Sequence, residues 1–185
     1  ALDADLSDST RSEYFAKQFP ERFFSMGIAE QDMIGAAAGL AFSGKIPYAS
    51  TFAVFSERAY EFVRNIISRN KLNVKIAGSH AGIATGEDGK SAQAIEDIAA
   101  YRALPNMIVL QPSDSIEAEK MVLALADYKG PSYMRMHRNA VPVIHSPDYE
   151  FKIGKGEILK SAKIKDFRDT KNPKDFLVES KDAVI

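Results

Sequence analysis

Short apolar runs alternate with segments of helical periodicity along the first 145 residues, and this alternation constrains the fold more than any other feature. Four runs predict β-strands, at residues 46–51, 74–78, 107–110 and 132–136, and residues 1–6 fit the end of a fifth. Helical periodicity fills residues 28–42, 55–67, 92–104 and the segment after Pro112. Strands that alternate with helices indicate a parallel sheet. We therefore expect an α/β domain of three layers, a parallel sheet with helices on both faces.

The composition excludes several functional classes. The 185 residues carry 24 Lys and Arg against 25 Asp and Glu, so no basic excess would attract nucleic acid or an anionic membrane. Cysteine is absent, which excludes a disulfide scaffold, thiol catalysis and a zinc–thiolate site. The longest apolar run, Ile34 to Phe42, is too short to span a bilayer. No basic-then-apolar leader opens the chain, and we expect a cytoplasmic protein.

A change of charge divides the chain near residue 146. Residues 1–150 carry 15 basic and 19 acidic side chains, a net charge of −4, whereas residues 151–185 carry 9 and 6, a net charge of +3. We therefore predict one domain at residues 1–145. Residues 146–185 are predicted to form a polar tail, or a truncated linker to a missing C-terminal domain.

Aromatic and polar side chains follow three of the predicted strands, at the edge where parallel sheets bind ligands. Phe52 and Phe55 follow the strand at 46–51, where they could stack on a flat ligand or complete the core. His80 follows the strand at 74–78 and could bind a ligand or serve a structural role. Arg138 follows the strand at 132–136, where its planar guanidinium suits either a bound anion or an internal acid.

Glu30 stands near the start of the helix predicted for residues 28–42. An acidic side chain in a first helical turn is stabilised by the helix dipole, and that role alone could explain Glu30. However, residues 23–29 and 33–39 are almost wholly apolar or small, and a carboxylate buried among them is unfavourable without a partner. Glu30 is therefore also a candidate for proton exchange with a ligand.

Five segments, taken in order, resemble the central, pyrimidine-binding domain of transketolase. They are residues 27–31, 50–55, 80–89, 104–106 and 111–114. The resemblance extends from about Asp3 to Ile158 and is strongest to the C-terminal half of transketolases that are split into two polypeptides. Residues 27–31 are also similar to 1-deoxyxylulose-5-phosphate synthases and to the β subunits of 2-oxoacid dehydrogenases. Residues 86–89 and the segment around Arg138 look more like transketolase.

The resemblance implies that the chain contributes to a thiamine diphosphate site. Glu30 matches the catalytic glutamate that faces the N1′ atom of the cofactor and shares a proton with it. Phe52 and Phe55 match the aromatic residues around the pyrimidine, and Asp5 matches an acidic residue at the mouth of the site. These residues are the cofactor-binding set that the resemblance implies.

The resemblance also implies a sugar-binding set. Ser9 matches a hydroxyl residue at the mouth of the site. His80 and Asp88 match residues that bind sugar hydroxyls, and His80 lies near the reacting atoms and counts as catalytic. Arg138 matches the clamp for the sugar phosphate. The implied activity is that of a transketolase-like transferase (EC 2.2.1.-), which moves a two-carbon ketol unit between sugar phosphates in pentose phosphate metabolism.

The sequence departs from the family pattern at identifiable places. Ala92 stands where a histidine is usual, and Arg58 stands where many transketolases have a third aromatic residue. The Gly-Asp-Gly element with a downstream Asn, which anchors diphosphate and Mg²⁺ in the family, has no match in this sequence. We therefore expect no metal ligands here, and expect a partner half, a separate subunit or missing domain, to hold Mg²⁺ and complete a dimer or larger oligomer. Alternatives are a 1-deoxyxylulose-5-phosphate synthase fragment and a non-catalytic pairing module.

Overall fold

Six strands form one sheet in the computed structural model, which describes residues 1–156. The strands are β1 (Leu2–Asp3), β2 (Phe24–Ser25), β3 (Tyr48–Phe52), β4 (Lys75–Ser79), β5 (Ile108–Leu110) and β6 (Ser132–Arg135). Their order is β2-β1-β3-β4-β6-β5, and every neighbouring pair is parallel. The predicted parallel α/β fold is confirmed.

The helices lie in the connections between the strands. The α-helices are α1 (Glu13–Gln18), α2 (Glu30–Phe42), α3 (Ala53–Ser56), α4 (Tyr60–Phe62), α5 (Asp97–Arg102) and α6 (Ser115–Asp127), and a π-helix at Val63–Ser68 follows α4. The connections through α1 and α6 run along the sheet in one direction, and the other three run in the opposite direction. Because such crossovers are right-handed, α1 and α6 cover one face and α2 to α5 the other. Among residues 1–156, no helix has the length and apolar character that a membrane span requires.

The compact unit of the fold comprises Ala1–Phe151. The boundary predicted at residue 146 remains a prediction, and of the tail predicted for residues 146–185 the part from 157 onward lies outside the described residues. The largest apolar cluster joins buried side chains of α2, such as Met33 and Ile34, to buried side chains of the sheet, such as Leu2, Ile76 and Tyr133. The buried spacing on α2 (Met33, Ile34, Ala37 and Ala38) is that of one helical face.

Helix α6 begins where its sequence predicts. The Asp114 carboxylate accepts a hydrogen bond from the Glu117 backbone N–H at 2.9 Å, as expected of an N-cap residue. In a capping box the side chain three residues into the helix accepts a hydrogen bond from the backbone N–H of the N-cap residue. Here the Glu117 carboxylate accepts instead from the residue before the N-cap, from the backbone N–H and the hydroxyl of Ser113, both at 2.7 Å. The start of α6 is therefore held by two carboxylates.

The predicted helix at residues 92–104 is wrong in its first turn. Helix α5 begins only at Asp97, because Gly82 N–H donates to the Ala94 carbonyl at 2.7 Å and holds that residue in an isolated antiparallel bridge. The two-residue strand β2 and the six-residue helix α1 were not predicted, since both are too short to show a period.

A buried ion pair ties α5 to β6. Asp97 and Arg135 are both buried, and Asp97 Oδ2 accepts hydrogen bonds from Arg135 Nε and Tyr133 Oη, each at 2.8 Å. Arg135 Nη1 donates to Gln111 Oε1 at 2.7 Å, which extends the network to the segment after β5. The Tyr133 ring stacks on the buried Tyr101 ring of α5, with centroids 3.9 Å apart.

We predict that Asp97→Ala destabilises the domain by about 3–5 kcal/mol, because it leaves the Arg135 guanidinium buried and unpaired. Urea unfolding of the wild type, of each single variant and of the double variant Asp97→Ala/Arg135→Met measures this cost. The double variant should lose less than the sum of the two single variants, since its second substitution removes the stranded charge. Additive losses would mean that the two side chains do not stabilise each other.

Candidate active site

A cavity of about 180 Å³ opens at the carboxyl ends of β1 and β3. The chain leaves β1 and β3 in opposite directions along the sheet, and this reversal of strand order creates a crevice where parallel sheets bind ligands. The lining residues come from the loops after β1 and β2, from the start of α2 and from the helical segment after β3. They are Ala4, Asp5, Leu6, Ile28, Glu30, Phe55 and Arg58.

Glu30 places a buried carboxylate in the wall of this cavity. Its residue exposure is 2%, and its Oε2 atom makes no hydrogen bond. The nearest cation is Arg58, whose Nη1 atom lies 3.5 Å from Oε2 and whose side chain is 54% exposed. A buried carboxylate oxygen without a hydrogen bond is unfavourable. Glu30 is therefore suited to hold a proton, or to accept a hydrogen bond, at a donor that enters the cavity.

The loop after β1 is held by one buried acid. Asp3 is fully buried, and its carboxylate accepts hydrogen bonds from the Leu6 backbone N–H at 2.7 Å, Thr10 Oγ1 at 2.7 Å and Ser12 Oγ at 2.8 Å. Within this loop, Asp5 is exposed, has a positive φ of 63° and lines the cavity. Ser9 is also exposed but lies outside the lining of that cavity.

Three aromatic rings stack beside the cavity. The Phe52 ring is stacked with Phe55, at a centroid distance of 5.6 Å and an angle of 8°, and with His80, at 3.8 Å and 15°. Phe52 is buried at 8% exposure, whereas Phe55 and His80 are half-buried and present more of their surface to solvent. The stack connects the cavity around Glu30 to the end of β4.

His80 has an unusual backbone conformation, which fixes where its imidazole lies. His80 has a positive φ of 57°, and its Nδ1 atom lies 3.1 Å from Ser79 Oγ. Burial lowers the pKa of His80 below its usual 6.5, the positive charge of Arg138 lowers the pKa further, and the negative charge of Asp88 acts in the opposite sense. The imidazole is therefore neutral at neutral pH and can both donate and accept hydrogen bonds.

Arg138 is paired with an internal acid. Its Nη1 atom donates to Glu87 Oε2 at 2.9 Å and to the Thr85 carbonyl at 3.1 Å, and its Nη2 atom donates to Glu87 Oε1. Glu87 belongs to the 3₁₀ turn Gly86–Asp88, which also carries the exposed Asp88. Of the two possibilities that the sequence left open for Arg138, this structure has the internal pair.

The predicted site residues fall into two neighbouring groups. Asp5, Glu30 and Phe55 line the cavity, while the charges of Asp88 and Arg138 act on His80. Phe52 connects the groups, and the role assigned to each residue remains a prediction. Sequence reasoning missed the contacts of two further residues, Arg58 with Glu30 and Glu87 with Arg138. Both positions drew attention in the sequence, Glu87 within residues 86–89 and Arg58 in place of an aromatic residue, but no motif reports which side chain each one contacts.

Comparisons with known proteins identify relatives of the described domain. Residues 1–143 match the family described as transketolase, pyrimidine binding domain. A protein of Methanocaldococcus jannaschii, named as a transketolase C-terminal section, is 55% identical over 161 residues, which are 85% of this chain and 51% of that protein. Human transketolase is 38% identical over 164 residues, which are 88% of this chain and 26% of the human protein.

A solved structure has the same fold. It is a split-gene transketolase, described as an inactive beta4 tetramer, and it matches with a TM-score of 0.76 and 55% identity over 86% of this chain and 51% of that one. The chain therefore spans about half the length of the Methanocaldococcus relative and of this structural neighbour.

We predict that the His80 imidazole titrates with a midpoint below 6.5, because burial and the Arg138 charge both oppose its protonation. NMR of the imidazole resonances against pH measures the midpoint, and Arg138→Gln should raise it. The unfolded chain takes up this proton first, so the stability that His80 contributes is complete above pH 6.5 and falls as the pH drops toward the folded-state pKa. A midpoint at or above 6.5 would contradict this account of its surroundings.

Proposed function

This chain belongs to the transketolase family through its pyrimidine-binding domain, and we propose that it supplies one half of a thiamine diphosphate site. The complete enzyme is proposed to move a two-carbon ketol unit between sugar phosphates. One observation carries the proposal: the buried Glu30 carboxylate has an oxygen without a hydrogen bond at a cavity on the binding edge of the sheet.

The residues around the cavity fit the pyrimidine end of the cofactor. Glu30 offers a buried acceptor for a ring nitrogen, Phe55 offers a flat apolar surface, and Asp5 offers an exposed acid at the rim. When bound, thiamine diphosphate supplies the electron sink for breaking and forming the bond beside a sugar carbonyl. The task of Glu30 is to hold or release a proton at its Oε2 atom, which makes no hydrogen bond in the structure.

The second group of residues suits a sugar phosphate. The neutral His80 can exchange hydrogen bonds with hydroxyl groups, and the exposed Asp88 carboxylate can accept from them. Arg138 provides a planar guanidinium that matches the oxygens of a phosphate group. These assignments rest on the family resemblance, and they are supported by the proximity of Arg138 and Asp88 to His80.

The proposed site is incomplete without a partner half. Within residues 1–156 no group of three or more His, Asp or Glu side chains could hold a metal ion. We propose that diphosphate and Mg²⁺ are held by the partner half, and that the chain is inactive without it. The structural neighbour, described as an inactive beta4 tetramer, is consistent with that proposal.

A non-catalytic pairing module is the second candidate. Ala92, where the resemblance expects a histidine, is buried at 6% exposure and can offer no polar group to a substrate. Such a module would fail to bind the cofactor even when joined to its partner half, whereas an active half-site would bind it. The two candidates are therefore separated by cofactor binding to the reconstituted complex.

We predict that Glu30→Gln lowers the turnover of the reconstituted complex about 10²- to 10⁴-fold, the contribution of a positioned proton-transfer group. The thermal stability of the chain should change little, because Gln has the same shape. Exchange of the cofactor C2 proton for deuterium reports the same step without any sugar present. Asp32→Asn, an exposed acid in the same turn of α2, is the matched control. Wild-type exchange in the Glu30→Gln complex would remove Glu30 from this role.

We also predict that the chain alone binds thiamine diphosphate more weakly than micromolar. Aromatic stacking contributes only about 0.5–1.5 kcal/mol per pair beyond burial, whereas a micromolar dissociation constant corresponds to about 8 kcal/mol. Isothermal calorimetry of the cofactor with the chain, and then with both halves together, makes the comparison. Micromolar binding to the lone chain would contradict the requirement for a partner.

A further inference from the structure

The guanidinium of Arg138 already donates hydrogen bonds to groups of its own chain. Both of its terminal nitrogen atoms donate to the Glu87 carboxylate, which makes a two-pronged pair, and Nη1 also donates to the Thr85 carbonyl at 3.1 Å. The two prongs are the donors with which an arginine binds a phosphate group. A phosphate that binds Arg138 in this way must therefore compete with Glu87.

The backbone of residues 85–89 presents the Glu87 carboxylate to Arg138. Thr85 is fully buried, and glycines with a positive φ stand at the first residue of the turn (Gly86, 59°) and directly after it (Gly89, 79°). A Cβ atom at Gly86 would lie 3.7 Å from Arg138 Nη1, which shows how closely the guanidinium approaches this turn. Displacing Glu87 would therefore break one of the contacts between this turn and Arg138 and leave the hydrogen bond to the Thr85 carbonyl.

The Glu87 contact is exchangeable. The Glu87 side chain is 71% exposed and that of Arg138 is 30% exposed, and ion pairs at such positions contribute little net stability because water competes for both partners. The hydrogen bond from Arg138 lowers the pKa of Glu87 to about 2, so Glu87 is an anion throughout the neutral range. A phosphate dianion offers the same two-pronged geometry with more negative charge than a carboxylate.

We propose that Glu87 is an internal ligand of Arg138 that a phosphate monoester displaces when it binds, and that Glu87 thereby sets the affinity of this position for phosphate. The identity of the ligand as a sugar phosphate rests on the proposed function. Displacement of Glu87 also removes one of the contacts between Arg138 and the turn that carries Asp88. Glu87 is thus a specificity-determining residue, since it weakens binding only for ligands that engage Arg138.

The test is a titration of the full chain with inorganic phosphate, followed by the NMR resonances of the His80 imidazole. Glu87→Gln should lower the dissociation constant for phosphate about two- to fivefold, the change expected when a weak exposed ion pair no longer competes. Glu119→Gln removes the same charge from an exposed position on α6 and should leave the constant unchanged. Arg138→Gln should abolish the response.

Unchanged or weaker phosphate binding by Glu87→Gln would overturn the proposal, because Glu87 would then be a bystander or would align Arg138 for its ligand. A phosphate response that survives Arg138→Gln, or the absence of any response in both the wild type and Glu87→Gln, would overturn it as well. None of these titrations requires the cofactor, a sugar or the partner half. If phosphate displaces Glu87 as proposed but the reconstituted complex transfers no ketol unit, the proposed function is refuted and the role of Glu87 stands.

Discussion

The parallel pairing of β3 with β4 determines the geometry of the candidate site. Five consecutive residue pairs lock the two strands in register, and the last pair sets Phe52 opposite Ser79. The next residue, His80, takes a left-handed backbone conformation and lays its ring on Phe52 at 3.8 Å. A register shift of one residue would reverse the faces of every side chain on β3 and would separate these rings. The aromatic stack, and with it the connection between the two groups of site residues, depends on this pairing.

Two charged groups that are proposed to meet a ligand, Glu30 and Arg138, already face an opposite charge from their own chain. Glu30 Oε2 lies 3.5 Å from Arg58 Nη1, and Arg138 forms an ion pair with Glu87. In both pairs the counter-charge is the more exposed partner, so it can withdraw into solvent when a ligand arrives. For the buried Glu30, the opposite charge of Arg58 reduces the cost of a carboxylate that would otherwise be buried without a counter-charge. The exposed Arg58 and Glu87 side chains thus partly compensate the charges of the site in the absence of a ligand.

The sequence was most informative where a local rule governs the structure. Helix α2 ends at Phe42 because Gly44 takes a positive φ of 83° just beyond it, and α6 begins after the Asp114 cap, both of which follow from residue types. The pairing of Arg138 with Glu87 joins residues 51 positions apart, and no sequence period reports such a contact. The family resemblance named eight candidate residues for one site. Composition and sequence spacing alone could not establish that these residues lie near one another. The resemblance did not identify their internal partners, because a motif names residues along the chain and does not report which side chains meet in the fold.

We infer that Glu30 receives the pyrimidine of thiamine diphosphate when the chain is joined to its diphosphate-binding half. A crystal structure of the reconstituted complex with the cofactor and Mg²⁺ measures this directly. We expect a Glu30 carboxylate oxygen within hydrogen-bonding distance of N1′, about 2.6–3.2 Å, with the pyrimidine beside Phe55. A cofactor bound with its pyrimidine away from Glu30, or a well-formed complex that binds no cofactor, would contradict it.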